Sequence, residues 1–142
     1  MKYLKQLLLL IIMVVFTACE KDTYDNVGPE IDITNIKDNA VYNFGQTIVM
    51  KFNFKDESGI YEYKYEIYGE PTTKDSFMEE HHYTLNAFYT NLQEAKSILL
   101  PAKSDNETYQ EGKYIIKVTA ADINDNISVY YKPIQIVYPT KE

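Results

Sequence analysis

The sequence predicts an all-β fold, an antiparallel sandwich of about seven short strands, and three observations point there. Apolar and polar residues alternate with period two in several runs, turn-forming residues separate those runs, and no long amphipathic helical stripe is present. Strand A is expected near 30–36, entered through the Gly28-Pro29 breaker. Strand B, 46–54, points Ile48, Met50, Phe52 and Phe54 inward and Lys51 and Asn53 outward. Strand C, 60–68, sets Tyr61, Tyr63, Tyr65 and Ile67 against Glu62, Lys64 and Glu66. Strand E is expected at 96–100, strand F at 113–121 with Tyr114, Ile116, Val118 and Ala120 inward, and strand G at 127–138, where Pro133 suits an edge or a bulge. Asp38-Asn39, Asp56-Glu57-Ser58-Gly59, Glu111-Gly112 and Asn124-Asp125-Asn126 supply the turns.

So many short strands within about 110 residues indicate an immunoglobulin-like sandwich. Residues 69–95 are too long for a hairpin loop. They read as an insertion after strand C, a short helix or a covering loop, because Leu85, Phe88, Leu92, Ala95 and Leu99 fall at helix-like spacing while Lys96 to Pro101 also fits a strand. Strand C runs away from the B–C turn. The insertion is therefore expected at the end of the sandwich opposite the F–G loop, pointing away from the chain's N-terminal attachment.

Lys2 and Lys5 precede a continuous apolar run, Leu7 to Phe16, and then Thr17-Ala18-Cys19. As a helix that run spans roughly 15 Å, half a bilayer core, so it reads as the core of an export signal and not as a membrane span. Ala18 before the chain's only cysteine resembles the bacterial lipobox, in which the cysteine is diacylated and becomes the new N-terminus. Residues 1–18 are then a lipoprotein signal peptide, 19–29 the lipidated Cys19 with a flexible tether, and 30–142 the domain. The acidic, Lys-containing stretch Glu20-Lys21-Asp22 resembles the surface-export signal of Bacteroidota lipoproteins, which implies an outer-membrane lipid anchor on the cell surface.

Together with Phe54-Lys55-Asp56-Glu57-Ser58-Gly59-Ile60 and with Glu111-Gly112-Lys113-Tyr114 leading to Val118-Thr119-Ala120-Ala121-Asp122, these features resemble the short Bacteroidota lipoproteins that carry one immunoglobulin-like domain of unknown function. The resemblance implies a fold and an address. It implies no activity.

Composition narrows the function. The 142 residues include 14 Lys, no Arg and 21 acids, and removal of Lys2 and Lys5 leaves 12 Lys against the same 21 acids, a net charge near −9. Binding to a phosphate backbone needs clustered Lys and Arg, so nucleic acid is excluded as a partner. Catalysis is not expected. The only two histidines are adjacent, no nucleophile-elbow or zinc-protease motif occurs, and an acylated Cys19 cannot be a nucleophile. The expected function is a non-enzymatic, lipid-anchored envelope protein displaying a domain that binds a glycan or another envelope protein; the alternative is a cation-stabilised adhesion or structural module.

Two constellations could carry that function. Asp122-Ile123-Asn124-Asp125-Asn126 resembles the calcium element of cadherins, and the B–C and F–G loops share one end of such a sandwich. Asp56, Glu57, Asp122, Asn124 and Asp125, with Glu30 nearby, could therefore supply oxygens to Ca²⁺. The alternative is that these residues only build the turn, with Lys55 relieving the repulsion. The second set lies in the expected insertion: Phe77, His81, His82, Tyr83, Phe88 and Tyr89 offer aromatic and imidazole surface to a ligand, or else seal the open side of the sandwich.

Overall fold

Two long strands organise the chain, β3 (Thr47–Gly69) and β4 (Met78–Leu99), which pair antiparallel from Thr47↔Leu99 at one end to Tyr68↔Met78 at the other. The computed structural model describes residues 25–103 and 108–140. The remaining elements are β1 (Glu30–Ile33), β2 (Ala40–Asn43), β5 (Gly112–Asp122) and β6 (Ile127–Val137).

Both long strands bend at the same level, where the register shifts between Lys55 and Ile60 and again between Ile60 and Glu62. On one side of the bend β3 pairs with β1 and with residues 91–99; on the other it pairs with 78–89 and with β5. One ribbon thus supplies strands to two layers, the first of β1, β3 and β4, the second of β4, β3, β5, β6 and β2. Rings from the two halves of β3 meet between them: Phe52 lies 5.5 Å from Tyr65 and Phe54 lies 4.9 Å from Tyr63. Ile48, Met50, Ile67, Val118, Ile134 and Ile136 fill the same core. Counted at the bend, these strands are A, A′, B, C, C′, E, F and G of an immunoglobulin-like sandwich.

Four sequence expectations need correction. Residues 69–95 are neither helix nor covering loop, since 78–85 form the edge strand C′ and 91–99 form strand E. The helix-like spacing was coincidental: Leu92 points into the core at 7 % exposure, whereas Leu99 is 69 % exposed on the outside. Strand A is not continuous over 30–36; it ends at Ile33, and β2 follows as a separate strand pairing parallel with β6. The Asp56–Gly59 motif is not a hairpin turn but a bulged bend inside β3, held where the Asp56 carboxylate accepts the Ser58 and Gly59 amides at 2.9 and 2.8 Å. Residues 25–29 do not hang free, since Asp25, Gly28 and Pro29 contact the domain while Asn26 and Val27 are exposed. Pro29 is buried, and a Cβ on Gly28 would meet Ser128 Oγ at 2.8 Å. Cys19 and its signal lie outside the described residues.

Candidate functional site

The bend in β3 and β4, the F–G loop and the segment entering β1 converge at one end of the sandwich. Ile123 N donates to Gly59 O at 3.1 Å, tying the F–G loop to the bend. Asn126 Nδ2 donates to Asp25 O at 2.9 Å, and the Ser58 hydroxyl donates to the Asp25 carboxylate, tying the entering segment to both. Gly59, at φ 103°, lets the crossing chain pass close, because a Cβ there would sit 3.0 Å from the Cβ of Phe88.

Asp122 is the pivot of this end. Its side chain is fully buried, and Oδ1 accepts the amides of Asn124 and Asn126 while Oδ2 accepts Asn126 Nδ2, each at 2.8 Å. Asn124 Nδ2 reaches Ser58 Oγ at 2.8 Å, and Asp125, at φ 62°, turns its carboxylate outward to accept the Tyr61 hydroxyl at 3.4 Å. The sequence motif is thus a satisfied turn built on one buried carboxylate.

Asp25, Asp56 and Asp122 each offer a carboxylate oxygen, and the three lie within 4.8 Å of one another. Of the residues expected to gather here, the carboxylates of Asp56 and Asp122 do so; Glu57 is exposed beside them, Asn124 is tied to the group through its amide hydrogen bond to Ser58, and Asp125 turns outward to Tyr61. Asp25 completes the group. Sequence reading missed it because its position looked like tether; a sign was the Asp-Asn-Val-Gly-Pro run, whose aspartate accepts the Val27 amide as an Asx turn at 2.9 Å. The Ser58 hydroxyl, and then the Val27 amide, hold the Asp25 carboxyl below its ordinary range.

Beside the carboxylates opens a cleft of about 560 Å³, lined among others by Glu30, Lys55, Asp56, Thr90 and Asn91. Phe88, at 68 % exposed, and Tyr89, at 36 %, belong to the stretch of β4 that crosses this end. The expected recognition set is therefore divided. Phe77, at 6 % exposed, packs edge-on against Tyr109 near the opposite end and offers no surface. His81 and Tyr83 lie half-buried on the inner side of the edge strand, stacked on Tyr65 at 5.1 Å and Tyr63 at 4.9 Å, with Lys96 Nζ 4.1 Å over the Tyr83 ring. Burial pushes the Tyr63 hydroxyl up to about 12. His82 points to the outer face and pairs with Glu62 at 3.2 Å.

No protein-family model and no characterised protein sequence matches the chain. Among solved structures, the chain is similar to the fibronectin(III)-like modules of Clostridium thermocellum CbhA, at 15 % identity and a TM-score of 0.47, over 79 % of this chain and 100 % of that one. It is also similar to the Pseudomonas fluorescens alkylpurine DNA glycosylase AlkC bound to DNA containing an abasic site analog, at 10 % identity and a TM-score of 0.45, over 78 % of this chain and 31 % of that one. Neither likeness is close enough to bear on function; the strand pairing above carries the fold.

Proposed function

We propose that the chain is a non-catalytic lipoprotein of the bacterial outer membrane, displayed at the cell surface, whose immunoglobulin-like domain binds a glycan of the surface it is anchored in. The observation that carries this reading is the cleft at the B–C end. The carboxylates of Asp25 and Asp56, the hydroxyl of Thr90 and the amide of Asn91 line it, as polyol recognition by hydrogen bonding requires, and Phe88, two residues before Thr90 on the same crossing stretch, is an exposed ring on which a sugar can stack. The lipobox supports the anchor. Six residue steps separate Cys19 from Asp25, so the cleft lies within about 20 Å of the lipid, which favours a membrane-proximal ligand over a distant one.

The test is capture of envelope glycan by the chain from residue 20 onward, which keeps every described strand and the whole core. Phe88→Ala and Asn91→Ala should each lower capture at least tenfold at an unchanged melting temperature. Undiminished capture by both variants contradicts the site; capture of a basic envelope protein in place of glycan contradicts the ligand class. For the anchor, Cys19→Ala should move the protein out of the membrane fraction, and a mutant retained there at wild-type level contradicts lipidation.

A second reading, a cation-stabilised adhesion or structural module, is favoured by the close approach of Asp25, Asp56 and Asp122. It expects millimolar Ca²⁺ to raise the melting temperature by mass action, and Asp25→Asn with Asp56→Asn to remove the gain. An unchanged melting temperature removes this reading and leaves the glycan reading intact.

A further inference from the structure

The outer face of the second layer spans four strands and is separate from the cleft. Strand register arranges its side chains in four rows across C′, C, F and G. Met78, Tyr68, Ile115 and Pro133 form the first, and Glu80, Glu66, Lys117 and Tyr131 the second. His82, Lys64, Thr119 and Val129 form the third, and Thr84, Glu62, Ala121 and Ile127 the fourth. Along strand G runs an exposed apolar strip in which Ile127 is 66 %, Val129 45 % and Tyr131 56 % exposed, with no charged side chain among them. Nearer the middle the face is charged: Glu66 pairs with Lys117 at 2.9 Å and Lys64 at 3.3 Å, and Lys64 also reaches Glu80 at 3.5 Å.

We infer that this face is the interface of a symmetric homodimer, a second copy packing face to face about a two-fold axis that crosses the strands between the second and third rows. That operation sets the second row of one copy over the third row of the other. Glu80 then faces the second copy's His82, Glu66 its Lys64, and Tyr131 its Val129. The outer rows meet likewise: Pro133 packs on Ile127, and Tyr68 stands over the shallow groove that Glu62, Thr119 and Ala121 help to line, where the Glu62 carboxylate can accept the tyrosine hydroxyl. Acid meets base at Glu80–His82 and Glu66–Lys64 and apolar meets apolar at Tyr131–Val129, Ile115–Ala121 and Pro133–Ile127, while Lys117 meets Thr119 and Met78 meets Thr84. An axis along the strands instead would seat the apolar strip of G on Glu80 and His82, which the observed patterning disfavours.

The spacing of strands and rows gives the face about 500 Å² per copy, near the lower limit for a specific interface, and packed sheets tolerate the roughly 30° rotation their twist imposes. An interface at this lower limit makes a weak dimer, suited to molecules confined to one membrane.

Sedimentation equilibrium of the chain from residue 20 onward, from micromolar to submillimolar, should show monomer and dimer in exchange. Tyr131→Glu should weaken association at least tenfold without lowering the melting temperature, whereas Leu99→Glu, at a likewise exposed apolar position on strand E, should leave it unchanged. Amide shifts of the wild-type chain that depend on its concentration should fall on residues 62–68, 115–121 and 127–133 and spare Asp25 and Asp56. A monomer throughout the range overturns the proposal, as does association sensitive to Leu99→Glu and not to Tyr131→Glu. Concentration-dependent shifts confined to other surfaces overturn it without reference to any variant.

Discussion

At the scale of single residues, Asp122 and Gly59 bear most of the burden of the B–C end. Asp122→Ala leaves the Asn124 and Asn126 amides without their acceptor in a buried site, which should lower unfolding stability by about 3 kcal/mol in denaturant melts. Gly59→Ala meets both a left-handed φ and the Phe88 Cβ, and should cost about 2 kcal/mol. A loss below about 0.5 kcal/mol for either would mean that the bend is held by something else. Glu66 makes a pH-dependent contribution. Burial alone would raise its carboxyl, but Lys117 and Lys64 hold it below the ordinary value of 4.5. A depressed folded-state value means that the stabilisation is fully present above the unfolded value and is lost as pH falls through the folded one. Glu66→Gln should therefore destabilise at neutral pH, with the difference from wild type closing as the solution is acidified below about 4.5. A difference that persists unchanged into strong acid contradicts the ion-pair account.

At the scale of elements, β4 is where sequence and structure part most. Strands B, C, F and G were legible because each has one face in the core and one in water, so alternation marks them. Strand C′ has no such contrast. Its inner positions are Glu79, His81, Tyr83 and Leu85, half-buried at the open side of the sandwich, and its outer ones are Met78, Glu80, His82 and Thr84, so polarity does not alternate although burial does. The crossing at 86–91 is exposed and carries Phe88, which lent the stretch a false helical period. The same reasoning explains the site: Asp56 and Asp122 were legible from turn chemistry, whereas Asp25 was hidden because only tertiary packing makes a tether residue part of the fold. Amide exchange tests the element directly. Residues 91–98, paired with 48–55, should exchange far more slowly than 86–90, and equally fast exchange across 78–99 would contradict two strands there.

At the scale of the whole molecule, the chain's entry at Asp25, the acidic triad and the cleft share one end, while the charged and apolar outer face lies along the side. The expectation that 69–95 would lie at the end opposite the F–G loop fits only the turn leading into β4. The crossing at 86–91 lies at the tether end, because C′ runs back towards the bend before E begins. Under the proposed anchor at Cys19, such a domain would bind components of its own surface through its end while its side is free for a neighbouring copy. The most direct measurement is amide chemical-shift mapping of the chain from residue 20 onward during titration with purified envelope glycan. The account predicts perturbations concentrated at Lys55, Asp56, Phe88, Thr90 and Asn91, saturating with glycan. Saturable perturbations centred elsewhere, or none at any glycan concentration, would contradict it.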